Sequence, residues 1–157
     1  MGIFDNVINK FKEQPKQPTY VAPTSSKMKF VVAGVNYRMD QVIKLATPMK
    51  KWDMTNEELM RKYSNKKIYR YYYTNEPVFL VPEPTNQHDP NAIKVMINNI
   101  HVGYVPKEDC VRVKGFIESG NYTLSAYITG SEYKIIYDVK SAAQFSDPVS
   151  IEITISR

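Results

Sequence analysis

The sequence predicts a mainly β protein with helices, an α+β fold, and three observations support this. Six or seven short segments are rich in β-branched residues or alternate apolar with polar residues. Most of them are joined by short turns, which favour antiparallel pairing. Two or three other segments have helical spacing, so we expect a small barrel or sandwich with helices packed at its openings. The apolar content of 43% over 157 residues is enough for one core.

The N-terminal part has a composition of its own. Residues 1–13 have the apolar spacing of an amphipathic helix, and residues 14–27 form a proline-rich linker. A helix this short is marginal alone in water. It therefore either docks on a partner protein or a second copy of the chain, or folds back onto its own domain. A membrane surface is the weakest choice because the polar face has few cations.

The globular domain is expected over residues 28–157 and begins with a strand over Lys29–Val35. A short helix is predicted over Asp40–Ala46, with its first residue as N-cap and Pro48 ending it. A second helix is predicted over Asn56–Tyr63, because Thr55 and Glu58 have the spacing of a capping box.

A strand and a hairpin follow in the middle of the chain. The pattern predicts a buried strand over Pro77–Val81, a polar loop over Pro82–Asn91 and a second buried strand over Ala92–Ile97. Asn98-Asn99 is a turn that tolerates positive φ, and Ile100–Tyr104 returns as the next strand.

The last third is predicted to contain one helix and three strands. Pro106 opens the helix at its first turn, the helix runs to Glu118, and Ser119–Asn121 end it. Cys110 is expected to be a small buried residue of this helix. The three alternating strands are Tyr122–Thr129, Tyr133–Val139 and Val149–Ile155.

Composition excludes several classes of protein. A single cysteine excludes a disulfide framework and a thiolate-rich zinc site, and fits a reducing, cytoplasmic setting. No apolar run reaches the ~18 residues that a membrane span needs. We therefore expect a soluble, cytoplasmic protein with a formal net charge of +5.

The basic excess is concentrated between Arg38 and Arg70, which hold nine basic and four acidic residues. Such a segment suits phosphate binding, although a solvated helix face has the same composition. At its end, Tyr69–Thr74 interleaves tyrosines with Arg70. This stretch is either an aromatic edge strand or a surface on which bases stack.

Catalytic motifs are absent from the sequence. There is no phosphate-binding glycine loop, nucleophile elbow, zinc-protease helix or dinucleotide fingerprint, and His88, His101 and Cys110 are too few for a zinc site. We therefore predict no catalytic residue, no metal and no cofactor. Glu83 and Asp89 share a loop and could hold a metal ion in a nuclease, which is the weakest alternative.

The loop Pro82–Asn91 is the first candidate for binding. It combines amide, imidazole and carboxylate groups, a mixture that suits a hydroxyl or a base edge. The structural alternative is that Asn86, Asp89 and Asn91 bond their own backbone in Asx turns.

The second candidate is Asn36-Tyr37-Arg38, directly after the first predicted strand. A tyrosine beside an arginine offers a stacking face and a phosphate fork, the pairing expected for single-stranded nucleic acid.

At Pro77–Cys110 the sequence resembles the signature of the HIRAN domain family. In that signature a strand is followed by a polar block and a hairpin that runs into a Gly-Tyr-x-Pro-Lys motif. The matching residues are Glu83, Pro84, Asn86, Asp89, Asn91, Ala92, Ile93, Val95, Gly103, Tyr104, Val105, Pro106 and Lys107. The preceding Lys29–Arg38 and the helix after it resemble the opening of the same family.

The resemblance implies a modified OB-like, six-stranded antiparallel barrel with two helices. It also implies binding of single-stranded DNA and capture of free 3′ ends, without catalysis by the domain itself. Elsewhere in the family the domain is fused to helicase-type ATPases that remodel stalled replication forks. The site residues that it implies here are Asn36, Tyr37, Arg38, Asn86, His88, Asp89, Asn91 and Lys107.

Each of these residues has an expected role or place. Tyr37 stacks on the terminal base, Asn36 or Arg38 holds phosphate, and Asp89 accepts a hydrogen bond from the 3′-hydroxyl. His88 takes the place of an aromatic residue, Asn86 and Lys107 complete the rim, and Asn91 belongs to the same loop.

Two features depart from the family pattern. Asn36 stands where the family has an arginine, and residues 47–75 are an insertion that holds most of the basic excess.

The predicted function is a non-enzymatic DNA-binding module for single strands or 3′ ends in DNA repair or replication-fork processing. The alternative is a protein-interaction adaptor that docks through the N-terminal helix and the insertion.

Overall fold

The computed structural model describes residues 27–157, so the predicted helix over 1–13 and nearly all of the linker lie outside the described residues. Within 27–157 there are nine strands and three α-helices. The strands are β1 Lys27–Val31, β2 Ala46–Pro48, β3 Ile68–Tyr69, β4 Tyr71–Tyr73, β5 Val78–Pro82, β6 Ile93–Ile97, β7 Ile100–Tyr104, β8 Thr123–Ile136 and β9 Ala142–Ser156. The helices are α1 Met39–Val42, α2 Asn56–Tyr63 and α3 Cys110–Ser119.

Two antiparallel sheets make up most of an OB-like fold. One sheet has the order β1-β9-β8-β3 and another has the order β5-β6-β7. A backbone bridge between Ala33 and Tyr104 joins β1 to β7, and β5 packs against β8 at the remaining edge. The predicted α+β, OB-like fold is confirmed. The described chain has more strands than expected because residues 46–73 contribute three short ones.

The interior between the sheets is apolar, and α3 contributes side chains to it. In β9 the alternate residues Ile151, Ile153 and Ile155 are fully buried, as are Val113 and Phe116 of the helix. Burying side chains of this size contributes about 2 kcal/mol each. Cys110 is buried as predicted.

The strand predictions for the last third are only partly right. Tyr122–Thr129 and Tyr133–Val139 are not two strands but one, β8, and β9 begins well before Val149. Gly130 has φ +90 and sits in a bulge, where an added Cβ would collide with the carbonyl oxygen of Pro148. The glycine thus bends the strand instead of ending it.

Residues 46–73 pack against the β8–β9 hairpin on its outer half, which is the half nearest the turn between the two strands. Ile68 of β3 and Leu59 of α2 are buried against Ile136 in a small core of their own. The bounds of α2 are as predicted, and Thr55 and Glu58 form the expected capping box. That residues 47–75 are an insertion stays a prediction.

The start of the domain differs from the prediction. β1 ends at Val31, and Gly34, with φ +80, turns the chain into a 3-10 turn over Val35–Arg38. The predicted helix Asp40–Ala46 is shorter, because α1 covers Met39–Val42. Asp40 lies in its first turn rather than at the N-cap.

The hairpin and the last helix are close to the prediction. Asn98 and Asn99 both have positive φ, and α3 follows Pro106 through a short 3-10 turn and ends at Gly120 with φ +67. β5 is not fully buried as expected, because Phe79 and Val81 face solvent.

Candidate nucleic-acid interface

The polar loop between β5 and β6 and the 3-10 turn that precedes α1 both border an open cavity of about 390 Å³. We call it the cation-lined cavity. Five of the eight predicted site residues meet in its wall, namely Arg38, Asn86, His88, Asp89 and Lys107. The cavity therefore brings together residues from four parts of the chain: the turn, the loop, β7 and the start of the last helix.

The loop is held in shape by its own side chains. The Asn86 side-chain oxygen accepts hydrogen bonds from the backbone N–H groups of His88, at 2.9 Å, and Asp89, at 3.1 Å. The Oδ1 atom of Asp89 accepts from the backbone N–H of Asn91 at 2.9 Å. The Asx-turn alternative is thus right for Asn86 and Asp89. The Oδ2 atom of Asp89 accepts no hydrogen bond from residues 27–157, so the loop fixes this carboxylate through one of its two oxygens.

Glu83 anchors the base of the loop. Its carboxylate lies 2.6 Å from the Nζ atom of Lys94 and accepts from the side-chain amide of Asn86 at 3.2 Å. The hydrogen bond from Lys94 is the main cause that holds the pKa of Glu83 below its usual range, against a smaller effect of burial. Within 27–157 no three His, Cys, Asp or Glu residues cluster as metal ligands do. Glu83 thus holds the loop through its contacts with Lys94 and Asn86.

Arg38 is positioned by two aromatic side chains of β7. Its Nε atom donates to Nδ1 of His101 at 3.4 Å, and its guanidinium lies 5.3 Å from the ring centroid of Tyr104. Because Nδ1 accepts, the imidazole proton is on Nε2, which donates to the carbonyl oxygen of Gly103 at 3.0 Å. Burial first, and then the charge of Arg38, lower the pKa of His101. The neutral imidazole therefore holds the guanidinium in place.

A glycine allows the turn to reach the loop. At Gly103 an added Cβ would collide with the carbonyl oxygen of Ala33. Ala33 pairs with the next residue, Tyr104, and this pair forms the bridge between β1 and β7. The glycine of the Gly-Tyr motif thus permits two backbones to approach closely. Arg38 reaches the cation-lined cavity because Ala33 and β7 are paired.

The remaining predicted residues lie elsewhere. Asn36 and Tyr37 line a separate cavity of about 240 Å³ beside Ser150, and Tyr37 is 89% exposed. Asn91 is exposed and only its backbone joins the loop. The roles of these three residues stay predictions. An exposed ring directly before Arg38 is available for stacking.

His101 and Tyr104 were missed as site residues. The sequence showed His101 only as a residue without zinc-ligand partners, and Tyr104 only as part of the family motif. Their rings lie 4.9 Å apart, edge to face. The available signal was that His101 and Tyr104 lie on either side of Gly103. Both residues therefore belong to β7, the strand beside Arg38.

The tyrosine-rich stretch begins at a sheet edge, and the cations in and beside it are paired with carboxylates. Lys67 lies 2.7 Å from Asp147 and Arg70 lies 2.6 Å from Glu132. Lys67 also stands 4.2 Å from the ring centroid of Tyr133. Each of these cations thus already has an anionic partner.

The family model of the HIRAN domain matches residues 58–155, which is more than half of the chain. The chain belongs to the HIRAN domain family. The HIRAN domain is a DNA-binding domain and is not itself catalytic. Neither the curated proteins nor the solved structures include a match to the chain.

The match covers only part of the cation-lined cavity. It contains the loop and Lys107 of this HIRAN domain but starts after Arg38. The described helices are all too short or too polar to cross a bilayer.

Proposed function

We propose that this HIRAN domain binds single-stranded DNA at a free 3′ end, without catalysis of its own, in DNA repair or replication-fork processing. The observation that supports this is the lining of the cation-lined cavity. A carboxylate with one unused oxygen, Asp89, shares the cavity with Arg38 and Lys107, neither of which has a carboxylate partner within 27–157. The cytoplasmic location stays a prediction.

Each group suits one part of a strand terminus. The free oxygen of Asp89 accepts a hydrogen bond from a 3′-hydroxyl, whereas it repels a 3′-phosphate. Arg38 and Lys107 bind the phosphate that precedes the last sugar. Tyr37 stacks on a base, His88 contributes an imidazole at the rim, and Asn86 keeps the loop in shape.

The test is fluorescence anisotropy with single-stranded oligonucleotides that end in a 3′-hydroxyl or a 3′-phosphate. The full chain should prefer the hydroxyl, and Asp89→Ala should reduce this preference by about tenfold. Asp138→Ala is the matched control, because Asp138 also accepts backbone N–H groups in a turn but lies outside the cavity. An unchanged preference in Asp89→Ala would remove the proposed role of this residue.

A metal-dependent nuclease is disfavoured because Glu83 is held by Lys94. Labelled DNA incubated with magnesium or manganese should remain intact. Cleavage that is lost in Asp89→Ala would overturn the non-catalytic proposal.

A further inference from the structure

A second cavity, of about 300 Å³, adjoins the same 3-10 turn but has a different wall. We call it the tyrosine-lined cavity. Asn36 contributes to it from the turn, Tyr71 and Tyr73 from β4, and Glu132 and Asp147 from the outer halves of β8 and β9. Tyr71 and Tyr73 are both half-buried, whereas the intervening Tyr72 is exposed. Two aromatic side chains two residues apart on one strand thus share this wall.

The charges of this wall are already balanced. Glu132 is paired with Arg70 at 2.6 Å. Asp147 accepts from Lys67 and from the hydroxyl of Tyr69, both at 2.7 Å, and these two bonds, with Lys67 first, lower the pKa of Asp147. No lysine or arginine is among the described residues that line the cavity. The wall therefore offers nothing to neutralise a phosphate, but it suits a neutral planar ring with hydrogen-bonding edges.

Tyr73, which lines this cavity, also carries a polar group that the described residues leave unused. The hydroxyl of Tyr73 is buried and has no hydrogen-bond partner among the described residues. Burial is the main cause that raises the pKa of Tyr73, so the group stays protonated and can donate. A buried hydroxyl without a partner is unfavourable, and a ligand that supplies an acceptor removes that cost.

The two cavities are close along the chain. Asn36 lies in the tyrosine-lined cavity and Arg38 in the cation-lined cavity. Two residues span at most about 7 Å of backbone. A single strand that is held at its end in one cavity can therefore reach the other within a few nucleotides.

We propose that the tyrosine-lined cavity binds a nucleobase of the strand whose 3′ end occupies the cation-lined cavity. The proposal rests on the proposed function and extends it, because it makes the domain read a base upstream of the end. Tyr71 and Tyr73 form the aromatic wall for the base, and the amide of Asn36 faces its edge.

The first experiment varies the DNA and leaves the protein unchanged. Anisotropy compares an oligonucleotide of ~8 nucleotides with the same strand lacking all bases except the two at its 3′ end. Binding of the intact strand should be about tenfold tighter. Equal affinity for the two strands, with the 3′-hydroxyl preference intact, would overturn this inference and leave the proposed function standing. Absence of DNA binding would overturn both.

The second experiment changes one hydroxyl. Tyr73→Phe should leave the thermal midpoint unchanged or raise it, because the hydroxyl has no partner, while it weakens binding of the intact strand several-fold. Binding of the strand without upstream bases should not change. Tyr72→Phe is the matched control, since Tyr72 is the next residue on β4 but does not line this cavity. Equal effects of the two variants on the intact strand would contradict the role of Tyr73.

Discussion

The cation-lined and the tyrosine-lined cavities differ in how the charges in and beside their walls are paired. Arg38 and Lys107 reach the first without a carboxylate partner among the described residues. Lys67 and Arg70, beside the second, are held by Asp147 and Glu132. A surface suits phosphate only where its cations lack such partners. Charge counted along a sequence therefore does not locate the phosphate site, because the partners come from other strands.

Several cations of the basic segment between Arg38 and Arg70 are already paired with carboxylates. Besides Lys67 and Arg70, Arg61 is paired with Glu57 on α2 at 2.8 Å. Arg38 differs, since its described polar side-chain partner is the neutral His101. We expect DNA affinity to depend on Arg38 far more than on these paired cations.

The largest effect is expected at Gly103, which sets the position of the cation-lined cavity. Gly103→Ala brings a Cβ into the carbonyl oxygen of Ala33 and should lower the free energy of unfolding by about 3 kcal/mol. Urea unfolding measures this value. Gly120→Ala is the control, because Gly120 has φ +67 but open space around its Cβ, and should cost only about 1 kcal/mol. Equal losses would show that the close approach is unimportant.

The next effect sharpens the contrast between free and paired cations. Arg38→Ala should weaken binding of single-stranded DNA by about 2 kcal/mol and lower the slope of log affinity against log salt by about one. Arg61→Ala, which removes an exposed and paired cation, should change both quantities little. Anisotropy titrations at several salt concentrations measure them. Similar losses in the two variants would mean that net charge alone decides binding.

The smallest effect is a pH dependence at the side chain that holds Arg38. The pKa of His101 is below the reference value of 6.5, so the unfolded chain binds its proton more readily. The contribution to stability is complete above that reference pH and is lost as pH falls through the folded-state pKa. Protonation also removes the acceptor for Arg38. Lys94 and Glu83 also act on the imidazole, with opposite signs.

Urea unfolding and DNA titrations between about pH 7 and pH 5 measure this effect. Stability and affinity should both fall with pH. His101→Asn removes the titrating group and should flatten the change in both. A pH profile that is the same in this variant would assign the effect to another group.

Several elements could be predicted from local rules. The capping box of Thr55 and Glu58 fixed the start of α2, and Asn98-Asn99 adopted the positive φ values that a tight hairpin needs. The loop residues were recognisable because their spacing matched the HIRAN signature. The prediction failed at Gly130, where a glycine between two alternating segments indicated a turn and the structure has a bulge.

The sequence by itself determined most of the local elements, the OB-like fold class and the loop that carries Asp89, because these depend on neighbouring residues or on a short motif. Only the tertiary structure decided that Arg38 meets His101, 63 residues later, and that Lys67 is neutralised by Asp147, 80 residues away. The physical reason is that an ion pair or a shared cavity depends on which strands lie side by side. Strand pairing over such separations is set by the whole core rather than by any one segment.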